Sequence, residues 1–472
     1  MPDETPSELR ADSVQAPPQA TPIATGETHL GGIYVGPPII RNALLNSFRD
    51  GIAANGMMAL NETFAVAAAV SLRASSMAIA MMSSMPMLVG SVGQYLLPAL
   101  ADPNRGRKRY VTQGVAGQVI GLALAACAGW LSPHWAPWVF VILYACSSIS
   151  VSLSGQYWVA WMGDLMPGSA RGRHFAWRSR YFSLMYLSCS LTAGMISRRF
   201  DSHHAPWILF FCVFATSALL RSVSFSFLVR QHEPVSGAAL EAFSPLRFRP
   251  GREFLQYCLA TGLFQGAASM SGPFFAVWYL RDLHFNYLFI AISLSLTVLG
   301  SIASSGFWGR MADHHGTGPV LFASAMLVAF IPFPYVFSEN RCVLWAACVF
   351  SGASWGGYNL SNFNHMLTVT DQRHRSHYLA FSTLIIGLLG CGSSMLGGFL
   401  ATRIPVIMGW RLQSLFLVSG LMRIAFVLIL FRGIRRSKAH APANPLVIYM
   451  ELPGFRTGAQ LIRTVFRGFR PG

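Results

Sequence analysis

Charge is what this chain has least of. Only 11% of its 472 residues are Asp, Glu, Lys or Arg, against roughly a quarter in a soluble globular protein. Acid is scarcer still: 18 Asp and Glu stand against 35 Lys and Arg, a formal net charge of +17. On a soluble domain that excess would suggest nucleic acid. Here the basic residues sit in short loops between apolar runs, so no nucleic-acid partner is expected and anionic lipid is the natural neighbour. The eight cysteines lie within or beside apolar runs with no CxxC spacing, which supports neither a disulfide framework nor a zinc site. The N-terminal stretch lacks a basic start followed by an apolar core, so it does not read as a secretory signal. Rich in Pro, Thr, Ala and acid, residues 1–40 read as a disordered cytoplasmic tail.

What the chain has in abundance is apolar surface. Hydrophobic residues make up 53% and mean hydropathy is +0.45. A bilayer core about 30 Å thick needs roughly 20 apolar residues per helix. Windows of that size give about twelve spans, at 52–72, 77–100, 110–131, 137–162, 178–197, 206–229, 254–279, 286–308, 319–337, 342–369, 378–401 and 411–431. The fold class is therefore all-α and polytopic. Basic clusters fall in alternate loops: Arg105, Arg107, Lys108 and Arg109; then Arg171, Arg173, Arg178 and Arg180; then Arg247, Arg249 and Arg252; then Arg373 and Arg375; and finally Arg432, Arg435, Arg436 and Lys438. The sequence SRRFD at 197–201 is the exception. By the positive-inside rule both termini are cytoplasmic, in a cell (plasma or inner) membrane.

The chain also repeats itself. SALLRSVSFSFLVR at 217–230 aligns with SGLMRIAFVLILFR at 419–432, matching Ser217 with Ser419, Arg221 with Arg423 and Arg230 with Arg432. Two parallel six-helix halves follow, at 41–230 and 254–432, joined by a polar linker at 231–253. The tail 433–472 is basic, and its LIRTVFRGFR segment reads as an interfacial helix. Arg221 and Arg423 are expected to snorkel to the cytoplasmic interface.

GRMADHHGTG at 309–318 interrupts this apolar sequence with a Gly-rich turn, and ALADPNRGRKRY at 99–110 is a looser version. In these loops and in its twelve spans the chain resembles the major facilitator superfamily. That family's signature follows spans two and eight, with Gly, Asp, a basic residue and a second Gly at fixed spacing. The second copy supplies Gly309, Asp313, His314 in the basic slot and Gly316; the first keeps Asp102, Gly106, Arg107 and Lys108 but has Pro98 for the first Gly. GDLMPGSARGRHF at 163–175 resembles a family loop through Asp164, Pro167, Arg171 and Gly172. The resemblance implies two pseudo-symmetric bundles that rock about a central cavity. It implies a conformational latch too, with Asp102 facing span five near Arg178 and Asp313 facing span eleven near His377. An ordinary topology-setting loop is the rival reading.

In that family spans one, four, seven and ten line the cavity. An ionisable residue inside a span is a functional suspect, and Glu62 is the acid deepest within one. Asn55 lies seven residues from it on the same face. Span four offers Gln156 and Tyr157, span seven Gln265, and span ten Trp355, Tyr358, Asn359, Asn362 and His365. These are the candidate substrate and proton-coupling residues, with polar helix-packing contacts as the rival reading. No Lys or Arg falls on the four predicted cavity helices, which disfavours a strongly anionic substrate. The expectation is a monomeric secondary transporter of a small polar or cationic organic solute, working by alternating access, with protons as candidate coupling ions through Glu62. It is no enzyme and needs no cofactor or resident metal. The alternatives are a transporter-like sensor or assembly factor, a Cu(I) importer using Met77, Met81 and Met85, and a polytopic membrane enzyme around His314 and His315.

Overall fold

A chain without water around it must satisfy each backbone N–H and C=O internally, and long helices do so. The computed structural model describes residues 28–30, 33–35, 38–100, 106–165, 168–199, 207–233, 248–370, 375–407 and 409–436. Its first half has six long helices: α1 (Pro38–Ser71), α2 (Ser76–Leu100), α3 (Arg107–Cys127), α4 (Ala136–Asp164), α5 (Gly168–Ser197) and α6 (Trp207–Arg230). The second half has α7 (Arg252–Ser271), α8 (Tyr287–His315), α9 (Thr317–Phe330), α10 (Arg341–Val369), α11 (Arg375–Arg403) and α12 (Arg411–Arg436). A short helix, Phe274–Val277, and a π turn, Trp278–Asp282, prolong α7; Phe333–Phe337 prolongs α9. Proline marks both breaks, at Pro273 and Pro332.

Each expected span coincides with one of these helices, but two start early. α1 begins at Pro38 rather than 52, and α5 at Gly168 rather than 178. Both early turns carry charge (Arg41, Arg49 and Asp50; Arg171, Arg173 and Arg178), so a hydropathy window starts after them. Within the segment expected to be a disordered tail, Thr28–Leu30 and Ile33–Val35 pair as an antiparallel hairpin, β1–β2. The expected interfacial helix, at 461–470, lies outside the described residues.

Helix pairing reveals the repeat more plainly than sequence does. α1 packs on α5 and α6, and α7 on α11 and α12; α3 packs on α4, and α9 on α10; α2 packs on α4, and α8 on α10. The two halves join along α2 with α11 and along α5 with α8, contacts that exchange when each helix is replaced by the one six places on. Small residues permit these crossings, as expected where lipid supplies no hydrophobic drive. On α11, Gly390 meets Met87 and Gly398 meets Met77 and Ala80 of α2. Met77 of the candidate Cu(I) set thus packs against glycine across the α2–α11 interface.

Twelve crossings return the chain to the side on which it began, here called the terminal side; the opposite side is the far side. One apolar core spans both halves, through Phe64, Phe140 and Phe214 of the first and Phe274, Trp278 and Tyr287 of the second. Near the terminal side the first half has its own core around Val115, Trp161 and Leu228, and the second its own around Trp308, Met311 and Val320. Far-side contacts bridge the halves: Arg281 Nη2 donates to the Ala74 carbonyl at 2.6 Å, and Tyr287 lies 6.0 Å from Phe64 and 5.7 Å from Phe210, centroid to centroid. The far-side contacts join the halves. Towards the terminal side the first half keeps its own core, the shared core continues through Phe254, Tyr257 and Leu430 of the second, and Tyr95 of α2 still lies 6.2 Å from Phe381 of α11.

Gly352 of α10 lies so close to α8 that a Cβ there would overlap the Thr297 carbonyl, whereas the space beside Gly309 is open. Gly352→Ala should lower the thermal midpoint of the detergent-solubilised chain, by about 1–3 kcal/mol of overpacking. Gly309→Ala should leave it equal or raise it, since alanine gains up to ~1 kcal/mol over glycine inside a helix. Equal losses in the two variants would refute this account of the α8–α10 crossing.

Candidate functional site

Glu62 takes its position from helical periodicity. On α1, Asn55, Met58 and Glu62 share a face that remains open while nearly all of their neighbours on that helix are buried. Tyr186 of α5 donates its hydroxyl to Glu62 Oε2 at 2.6 Å. Asn55 Nδ2 donates to its own helix at the Gly51 carbonyl, 2.7 Å away, and borders a cavity of about 260 Å³ between α1 and α4. From the second half, α10 presents Asn359, exposed, and Trp355 and Asn362, half-buried; α7 presents half-buried Gln265. Tyr257 of α7 donates to Asn362 Oδ1 at 2.7 Å, so the amide also ties α7 to α10.

Three expected cavity residues are placed in packing instead. Tyr157 is buried and stacks on Tyr110 of α3 at 4.7 Å. Tyr358 is buried between Phe264, at 5.1 Å, and Trp355, at 5.4 Å. His365 is buried, with Nδ1 3.2 Å from the Thr317 hydroxyl at the start of α9. Tyrosine and histidine bury well once the ring packs, which residue type alone does not disclose. The side chains of Gln156, Asp164, Pro167, Arg171 and Gly172 lie outside the described residues.

The cavity beside Asn55 contains charges that the sequence reading placed elsewhere. Asp50, Arg178 and Arg221 all border it, with Trp158 and Phe182. Asp50 is 4% exposed, Arg178 6% and Arg221 7%. Ser224 donates to Asp50 Oδ1 and accepts from Arg221 Nη1 at 2.8 Å, linking acid and base through one hydroxyl. Arg178 donates to Ser47 Oγ at 2.9 Å. Its guanidinium lies over the rings of Trp158, Phe175 and Phe182 at 4.8 to 5.1 Å, a desolvated cation–π arrangement. Arg221 therefore does not snorkel. Nor does Arg423, 2% exposed, which donates to Ser271 Oγ at 2.9 Å and to the Val328 carbonyl at 3.2 Å. Two cationic side chains do reach a cavity, from α5 and α6, and Asp50 offsets part of their charge.

Of the expected latch, Asp102 lies outside the described residues. Asp313 is exposed near the end of α8, with no ion pair among the described residues. Gly309 is helical, and the turn itself is made by Gly316, whose φ of +81° only glycine adopts freely. At the first copy, an unforeseen acid meets the start of α3. Glu233 Oε1 accepts from the Lys108 backbone N–H at 3.0 Å, and Lys108 Nζ donates to the Gln231 carbonyl at 2.9 Å. A carboxylate at a helix N-terminus is favoured by the dipole. A Cβ at Gly106 would run into that carboxylate. Arg107 is half-buried in the first turn of α3. The linker thus begins by docking on α3, and His232 adds its carbonyl to Trp161 Nε1 of α4 at 3.1 Å. Glu233 stands at the end of a basic stretch, and nothing in its spacing flagged it.

Twelve helices in two related bundles, fused at one end about polar groups from α1, α5, α7 and α10, define an integral, multi-pass membrane protein. Comparisons agree. The Major Facilitator Superfamily profile matches residues 257–467. A curated relative, "Multidrug resistance protein MdtG" of Dickeya zeae (strain Ech586), is 29% identical over 182 residues, which cover 36% of this chain and 42% of that protein. The chain is thus aligned with less than half the length of that relative. Among solved structures, a mutant of the nucleoside transporter NupG superposes with a TM-score of 0.65 at 12% identity, covering 84% of this chain and 99% of that one. The D-xylose-proton symporter gives 0.64 at 13%, covering 86% and 99%. A bacterial homologue of the iron transporter ferroportin, in an inward-facing state, gives 0.62 at 13%, covering 84% and 99%. The chain has the major facilitator superfamily fold, and its second half carries that family's sequence profile.

The buried charges can be tested directly. Removing one partner leaves the other uncompensated in a poorly solvated site, a cost of about 3–5 kcal/mol. Arg221→Leu and Asp50→Leu should each sharply lower the thermal midpoint, and the double variant should lose less than the sum of the two. Strict additivity would show that Asp50 and Arg221 do not sense one another.

Proposed function

We propose that this chain is a secondary active transporter that moves a small polar or cationic organic solute by alternating access. One observation carries the reading: the contacts of Arg281 with Ala74 and of Tyr287 with Phe64 and Phe210 join the halves on the far side, while the first half's terminal-side core stands apart from the second half's. Two related bundles joined chiefly on one side have the geometry of one of two alternating states. The loop charges put the terminal side in the cytoplasm, so this state faces inward. Glu62, Asn55, Gln265, Trp355, Asn359 and Asn362 form the solute-facing set, with Asp50 and Arg178 farther towards the terminal opening.

Related proteins support a solute of this kind. The curated relative is named for multidrug resistance, and structural neighbours carry nucleosides or couple xylose to protons. Glu62 is the candidate proton carrier. Protonation would remove a charge from the cleft before the cleft closes to water, lowering the cost of reorientation. The Tyr186 hydroxyl donates to the carboxylate and holds its side chain in place. Asp313 and Asp102 are the latch of the alternate state, in which the terminal ends approach. Among the described residues Asp313 makes no ion pair, which suits a latch released in this state.

Vesicle flux tests the coupling. With the full chain in proteoliposomes and a panel of polar and cationic solutes, at least one solute should be driven by a pH gradient. Glu62→Gln should abolish gradient-driven accumulation while leaving solute exchange at equal pH. Unimpaired gradient-driven transport in Glu62→Gln would remove Glu62 from the coupling step. A panel in which nothing crosses, although a solute binds, would overturn the transporter reading itself.

A further inference from the structure

The SRRFD sequence breaks the loop-charge pattern by placing Arg198 and Arg199 on the far side, where α5 ends. We propose that these arginines, together with an apolar groove beside them, form a binding site for an anionic phospholipid of the far leaflet. The proposal needs the chain to span a membrane but does not depend on the transport reading.

The groove has a volume of about 370 Å³ and lies between α5 and α6, with Leu60 of α1 at its floor. Thr192 and Ile196 form part of one wall, and Cys212 and Thr216 part of the other; no charged residue lines it. Helical spacing fixes which way it opens. Gly194 packs on Ala291 of α8, towards the second half. Thr192 and Ile196, two residues either side, point away from that contact and are exposed. A groove open to hydrocarbon is filled by an acyl chain, which suits apolar walls and the weakly polar hydroxyls along them.

The headgroup end is set by the same helix. From Thr192 to Arg199 the rise is about 10 Å, which leads from the groove to the end of α5. Arg198 and Arg199 are exposed, and neither side chain makes a hydrogen bond or ion pair among the described residues. Exposed Trp130 and Trp135, in the far-side turn between α3 and α4, mark the interface depth where amphipathic rings sit. A guanidinium is the side chain best shaped for a phosphate diester, with two parallel N–H donors. Arg199, seven residues beyond Thr192, thus lies in line with the apolar slot as phosphate does with chain in a lipid, and Arg198 adds its charge beside it from the face of Gly194. This arrangement gives the misplaced basic pair a physical role that topology does not.

The test uses the purified full chain in detergent, incubated with equal amounts of phosphatidylglycerol and phosphatidylcholine of one chain length. Retained lipid is counted by native mass spectrometry. The wild type should retain phosphatidylglycerol preferentially, and the preference should fall about fivefold in Arg199→Gln and less in Arg198→Gln. Arg73→Gln, at another exposed far-side arginine, should leave it unchanged. Thr216→Trp, which fills the groove, should reduce retention of both lipids. Inorganic phosphate at millimolar concentration should not displace the lipid; if it does, the site recognises a soluble anion and the proposal falls. Equal retention of the two lipids by the wild type overturns it without any variant, as does an undiminished preference in the arginine variants.

Discussion

Two helical bundles joined by aromatic and hydrogen-bonded contacts at one end cannot be equally stable in every relative orientation. Fusing the far end, through Phe64, Phe210 and Tyr287 and the Arg281 contact to the Ala74 carbonyl, fixes where the halves can pivot. In the proposed cycle a solute would reach Glu62 from the terminal side, because aromatic rings pack the far end.

The halves are alike in packing but not in chemistry, and the difference explains which of them carries charge. Arg221 and Arg423 occupy matched positions in the repeat. Arg221 meets an acid through Ser224 beside a cavity. Arg423 meets only backbone carbonyls and Ser271. A buried cation with no acid near it can only brace helices, here α7 and α9 against α12. A buried cation linked to an acid beside a cavity can answer to what enters it. The first half therefore holds the acids Asp50 and Glu62 and, beside Asp50, the arginines Arg178 and Arg221, while the second contributes mostly neutral amides and rings.

Most of the architecture could be read from the residues, and the reason is instructive. Among the described residues, eight of the twelve helices are apolar enough to be recognised as spans by hydropathy and length alone. The four that fall short are α1, α5, α7 and α10, which carry Asp50 and Glu62, Arg178 and Tyr186, Gln265, and Asn359 and Asn362. What weakens their membrane signal is polarity, part of it open on the inner faces, part buried in helix contacts and part charge at the terminal ends. Sequence was poorer at assigning directions. Arg221, Arg423, Tyr157 and His365 each had the right residue type for a surface or cavity role and were turned inward by neighbours far away in the chain. Ser224 lies 174 residues from Asp50, and no local pattern announces such a pair.

The linker illustrates the same limit and adds a constraint on how the halves move. Had 231–253 been only a flexible join, its first residues would have been free. Instead Glu233 closes the start of α3 and Gln231 is buried against α4, with Nε2 3.6 Å from Met162 Sδ. The connection is therefore anchored to the first bundle as far as Glu233. At the other end, Phe248 meets Tyr378 of α11 edge-to-face at 5.0 Å, which ties the linker to the second bundle before α7 begins. In the proposed cycle, Glu233 and Phe248 would each move with the bundle they are docked on.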